Sequence, residues 1–185
     1  MKIKLLFILL VSTIIFVGCN EEETLPKPKA MLRLEYVKPP VIKAETPNFT
    51  FDYNSVAQLK IKNGSAVELK YPEMKASIFM SFRKIKGDLK NLTIDARKLS
   101  YEHASKADGI RPRAYEDAKN KVYGEFFEVS GDAASQAQFY VTDSVKHFVT
   151  GALYFETKPN YDSIYPAAVY LQQDMGRIME TLRWK

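Results

Sequence analysis

Apolar residues recur at every second position along much of the first half of the chain, and at every third or fourth position in two later stretches. Leu32, Leu34 and Tyr36 alternate with Arg33 and Glu35, and Phe49, Phe51 and Tyr53 alternate with Thr50, Asp52 and Asn54. That period suits strands with one face buried. Leu59 and Ile61, then Val67, Leu69 and Tyr71, continue it around a turn at Asn63-Gly64, and Ile78, Met80 and Phe82 give another strand. After Gly87 the period changes: Leu89, Leu92, Ala96, Leu99 and His103 follow helical spacing, with Asp88 placed to cap the helix. A loop containing Gly109 and Pro112 is expected next.

Three strands then follow closely, Val122 to Val129, Gln136 to Thr142 and His147 to Glu156, joined by the short turns SGDAAS and DSV. Connections this short imply an antiparallel meander. The first and third strands are apolar on both faces, as expected of strands covered on both sides. Ile164, Ala168, Leu171, Met175, Ile178 and Leu182 are spaced 4, 3, 4, 3 and 4, a long amphipathic helix with Asp162 or Ser163 at its cap and Pro166 near its first turn. The expected class is α+β: an antiparallel β-sheet flanked by helices, with the long C-terminal helix on one face and the 88–106 helix on the other. This order of elements resembles the PsbP-like α/β/α sandwich.

Composition agrees with one folded body, since 46% of the 185 residues are apolar and 26% charged. The division expected is a signal over residues 1–18, a tether over 19–30 and a single domain over 31–185. Lys2 and Lys4 precede an apolar run from Leu5 to Val17, the layout of a secretory leader. Such a run spans about 20 Å as a helix, short of the roughly 30 Å hydrocarbon core. It ends in Gly18-Cys19, which resembles a bacterial lipobox, with Phe16 in place of the usual Leu. Cys19 is therefore the candidate lipid-attachment residue. Acyl chains on one residue hold a protein to the bilayer, each buried methylene contributing about 0.8 kcal/mol. Cys19 is the single cysteine, so no internal disulfide can form.

The formal charge of +5 loses two lysines with the leader, leaving 25 Lys and Arg against 22 Asp and Glu. A net +3 removes the main support for a nucleic-acid partner. Residues 20–30, NEEETLPKPKA, read as a solvated spacer.

Chemistry-bearing patterns are sparse. The mature region has two histidines; His103 continues an apolar stripe and His147 starts a strand beside a turn. Ser135 lies in GDAAS, without the G-x-S-x-G elbow. No paired Cys, H-E-x-x-H or calcium loop is present, so no catalytic residue, metal or cofactor is expected. Asp143-Ser144-Val145 and Asp162-Ser163-Ile164 resemble the O-glycosylation acceptors of Bacteroidetes, making Ser144 and Ser163 candidates. Each triplet also sits where a turn or cap wants Asp and Ser, and that structural reading is preferred. Tyr161, Tyr165 and Trp184 flank or lie on the terminal helix and are candidate interface anchors.

Longer blocks carry a family resemblance. RLEY at 33–36, YPEMKA at 71–76, HASKAD at 103–108, VYGEFFEVSGDAASQAQFYVTDSVKHF at 122–148, KPNYDSIYPAAVYLQQDM at 158–175 and METLRW at 179–184 are similar to the gliding-motility lipoprotein GldD family of the Bacteroidetes. The resemblance implies a non-enzymatic accessory lipoprotein of the cell envelope, needed for gliding and linked with type IX secretion proteins as partners. Asn20 rather than Asp after Cys19 points to the outer membrane by the sorting logic of better-known bacteria. Two alternatives have distinct signatures: a glycan hydrolase needs an acid pair in a cleft, and a small-ligand or lipid carrier needs an apolar cavity between sheet and helix.

Overall fold

The computed structural model describes residues 36, 38–102, 106–157 and 160–185. Cys19, the expected strand at Leu32 and Leu34, and His103 lie outside them. In chain order the elements are β1 (Val41–Glu45), β2 (Phe49–Asn54), β3 (Gln58–Lys62), β4 (Ala66–Tyr71), β5 (Ala76–Lys84), α1 (Leu89–Tyr101), β6 (Ala107–Asp117), β7 (Val122–Gly131), β8 (Ser135–Thr142), β9 (His147–Phe155), α2 (Tyr161–Thr181) and β10 (Arg183–Trp184). The class is mixed α+β, with antiparallel sheets and a long C-terminal helix.

The strands form two sheets rather than the one expected. Seven pair in the order β3-β4-β5-β9-β8-β7-β6, and β1, β2 and β10 form a separate three-stranded sheet. Every pairing is antiparallel. The expected meander is present as β7-β8-β9. The stretch around Gly109 and Pro112 is not a loop: it is β6, an edge strand paired along its length with β7. Its side chains are mostly exposed on both faces, so no burial period marks it, and a proline is tolerated there because an edge strand has one side without a partner.

Alternation sorts the large sheet's side chains into two cores. On one face Leu69, Ile78, Phe126, Phe139, Val149 and Leu153 pack with Leu171, Met175 and Ile178 of α2 and with Phe49 and Phe51 of β2. Residues of opposite parity, Phe127, Tyr140 and Phe148, pack on the other face with Leu92 and Ala96 of α1. Helix α2 thus lies between the small sheet and the large one. Its buried stripe is the 3.6-residue pattern read from the sequence. β8 is buried at all eight positions, and at β9 the absence of a side chain on Gly151 makes room for the Phe139 ring. A Cβ on Gly151 would stand 2.2 Å from that ring.

Local details depart from expectation at the helix ends. Asp88 occupies the cap position of α1, but its carboxylate accepts the Lys86 N–H at 2.8 Å instead of a helix N–H. α2 begins at Tyr161, with Asn160 at its cap. Its last turn is fastened to β2, because Thr181 Oγ1 accepts the Asp52 N–H at 2.9 Å and donates to the Arg177 carbonyl at 2.7 Å. Among the described residues no helix is long and apolar enough to cross a membrane.

Candidate functional site

The flank of α2 opposite its buried stripe carries Tyr161, Tyr165, Val169, Gln173, Gly176 and Glu180, and it faces the edge strand β6 across a groove of about 830 Å³. The floor comes from β6 and β7. Arg111 and Arg113 project to the α2 side, the Arg113 guanidinium lying over the Phe126 ring at 5.4 Å from its centroid. Both arginines share one carboxylate, Glu128, at 3.5 and 3.9 Å, while their own side chains remain 84% and 64% exposed. Glu180 on the α2 wall is a second carboxylate in the same groove, so its acidic and basic side chains balance. Such exposed pairs contribute little stability.

At the entrance the Tyr161 and Tyr165 rings meet edge to face, 5.5 Å apart and at 72°. Tyr161 is fixed by its own N–H, which donates to Asp132 Oδ1 at 2.8 Å in the β7–β8 turn. Burial, with the neighbouring Tyr165 hydroxyl and Asp108, pushes its phenol above the ordinary range. Mid-groove, Gly176 has open space where a Cβ would stand. A glycine inside a helix costs about 1 kcal/mol against alanine, and here packing does not require it; its effect is to keep the groove wide.

The third aromatic candidate is placed elsewhere. Trp184 stacks on His147 with ring centroids 5.3 Å apart and 14° between planes, meets Phe49 edge-on, and donates its indole N–H to the Lys121 carbonyl at 2.9 Å. It closes the fold where β10 joins β2. His147 in turn pairs through Nδ1 with Asp143 Oδ2 at 2.7 Å, and Asp143 Oδ1 accepts the N–H groups of Val145, Lys146 and His147. Burial alone would raise the Asp143 carboxyl, but these donors hold it down at about 2. The first acceptor triplet is thus a tightly bonded β8–β9 turn, with Ser144 exposed in the left-handed region at φ 66°. Ser163 is exposed in the first turn of α2, where its hydroxyl donates to the Asn160 carbonyl at 2.9 Å.

A second surface was not singled out from the sequence. The apolar positions of β5 and β9 on the α1 side extend beyond the helix, leaving Phe79 44%, Tyr154 38% and Leu99 52% exposed around a groove of about 340 Å³. The expectation that the third meander strand is covered on both sides holds at Phe148 and fails at Tyr154. Helix α1 packs over Phe127, Tyr140 and Phe148 and goes no further. Exposed aromatic and aliphatic side chains gathered in this way mark interaction surfaces.

The buried carboxylate Asp174 is held among Asn54, Tyr71 and Arg177, accepting hydrogen bonds of 2.9, 3.2 and 3.1 Å. Burial raises its carboxyl above the usual range despite those partners. The bonds tie α2 to β2 and β4. Among the described residues no three His, Cys, Asp or Glu side chains are grouped to hold a metal. The space between the large sheet and α2 is filled by Leu171, Met175 and Ile178, each fully buried.

The sequence agrees with the family model described as "Gliding motility lipoprotein GldD" over residues 21–184. The chain belongs to the GldD family of gliding-motility lipoproteins. A search of curated proteins finds no match. Membership associates the chain with gliding motility and with lipid-anchored attachment to the cell envelope, and the family is not a known enzyme class.

Proposed function

We propose that this family member is a non-enzymatic accessory lipoprotein, anchored through Cys19 in the outer membrane after removal of residues 1–18, with residues 19–30 as tether to a single domain over 31–185. In this reading it supports the assembly or stability of the gliding and type IX secretion machinery through protein–protein contacts. The observation that carries it is the family match across almost the whole mature chain. Two surface features support contact with other proteins: the aromatic and arginine-lined groove along β6, a composition enriched at interfaces, and the exposed Phe79, Tyr154 and Leu99.

Gene deletion followed by complementation tests the reading. Wild type restores spreading and adhesin secretion, whereas Cys19→Ala, which leaves no thiol for acylation, restores neither. Labelled palmitate enters the wild-type product alone. Full rescue by the unacylated variant refutes tethered assembly.

A further inference from the structure

We infer that the domain pairs with a second copy of this chain through the surface formed by α1 and the strands beside it, each copy's α1 lying on the bare strands of the other. This deepens the reading that the domain works through protein–protein contacts, and it rests on the exposed Phe79, Tyr154 and Leu99. Helix α1 packs on Phe127, Tyr140 and Phe148, which belong to β7, β8 and β9. Among the described residues no helix lies over the neighbouring strands β5, β4 and β3 on this side of the large sheet.

A helix fits there by its dimensions. β5 lies two strands from β8, about 10 Å away at the usual strand spacing, and helices packed side by side stand about 8–10 Å apart. A second helix beside α1 thus comes to rest on β5. Phe79 stands there between Glu68 of β4 and Ala152 of β9, and the small Ala66, Ser81 and Ala152 leave a trough around it. α1 itself is shaped to enter such a trough. On the side away from its buried Leu92 and Ala96, Ile94 and Tyr101 sit two turns apart, 51% and 47% exposed. Ridge and trough adjoin on one molecule, so a two-fold axis parallel to α1 sets each ridge into the other copy's trough.

Area and charge agree with a second copy as the occupant. At about 200 Å² for a fully exposed large side chain, the exposed fractions of Phe79, Ile94, Leu99, Tyr101 and Tyr154 present about 450 Å² on each copy, a patch of the size that marks an interaction site. Two such patches, with the polar area that accompanies them, come to about 1,500 Å², the standard size of a specific interface. On the flank of α1 that meets its counterpart, Asp95 and Glu102 lie with Lys98 and with Arg83 of β5, so both signs are equally represented and the flanks do not repel. The outer rim of the trough is neutralised by the pairs Lys62–Glu68 at 3.4 Å and Lys70–Glu156 at 2.9 Å. Leu99 belongs to the meeting flank and faces Leu99 of the second copy across the axis.

The test places a new thiol at the axis. Leu99→Cys is expressed in full-length form from two gene copies bearing different epitope tags, and intact cells are treated with a short bis-maleimide; the parent protein, with Cys19 alone, sets the background. A product of twice the mature mass that carries both tags is expected. Adding Ile94→Glu to Leu99→Cys lowers its yield about tenfold, as loss of an interface anchor does, whereas adding Ile94→Leu keeps it. Gln173→Cys, on the other groove, gives no product above background. All these changes are on exposed helix positions, and an unchanged thermal melt shows that the variants fold. A product of any other mass, a yield no higher than that of Gln173→Cys, or one unmoved by Ile94→Glu overturns the inference. The two readings fail separately: spreading by a Cys19→Ala strain refutes tethering while the crosslink stands, and absence of the crosslink refutes pairing while tethering stands.

Discussion

Replacing Asp143 with alanine is expected to destabilise the protein in a way that depends on pH. The carboxyl is held at about 2 against an ordinary 3.8, a depression of nearly two units. One unit corresponds to about 1.4 kcal/mol, so the ionised group contributes about 2 kcal/mol of stability. Because the folded value is the lower one, that contribution is complete above the unfolded value and is lost as pH falls through the folded value. Urea unfolding followed by circular dichroism should give a wild-type-minus-variant difference of about 2 kcal/mol at pH 7, about half of that at pH 3 and little at pH 2. Asp143→Asn keeps an oxygen for the three backbone donors and should lose less, with little pH dependence. A difference that stays constant from pH 7 to pH 3 would refute the argument that the carboxylate's charge, rather than the shape of the turn, does the stabilising.

Two further outcomes follow from the interior. Gly151→Ala should lower stability by about 1–3 kcal/mol, because the new methyl overlaps the Phe139 ring in a strand buried from both sides; the melting temperature checks it, and an unchanged value would mean that the ring moves freely. Asp174→Ala should lower stability by about 1–3 kcal/mol by leaving the Tyr71 hydroxyl without its acceptor and the Asn54 amide with the Tyr170 hydroxyl alone, while Asp174→Asn, which keeps an acceptor and removes the penalty of a buried charge, stays near wild type in chemical denaturation.

The legible parts of this fold are those where burial imposes a period. α2 could be read because Leu171, Met175 and Ile178 fall on one buried stripe, and β2, β4 and β5 because alternate residues enter one core. β6 could not, since neither of its faces is deeply buried and Gly109 and Pro112 imitate a loop. The division into two sheets was hidden for another reason: β10 joins β2 across most of the chain, with Trp184 opposite Phe49, and such pairings leave no local mark. At the site, Tyr161 and Tyr165 were found because they begin a helix on the side away from its apolar stripe. Trp184, just past the other end of that helix, was singled out with them, but the structure gives it His147 and Lys121 as partners within the fold. Arg111 and Arg113 gave no warning, because an arginine in an unrecognised strand has no assigned direction. The acceptor triplet at Asp143 was legible as turn chemistry, and the four hydrogen bonds to its carboxylate show that chemistry in full.

Helix α2 separates two tasks across its own thickness. One flank is locked in the interior and the other forms a wall of the groove, so the position of that wall is set by the packing of the core behind it. Substitutions along Tyr161, Tyr165 and Gln173 can therefore reshape the groove without disturbing Leu171, Met175 or Ile178. The surface is free to diverge while the scaffold stays intact.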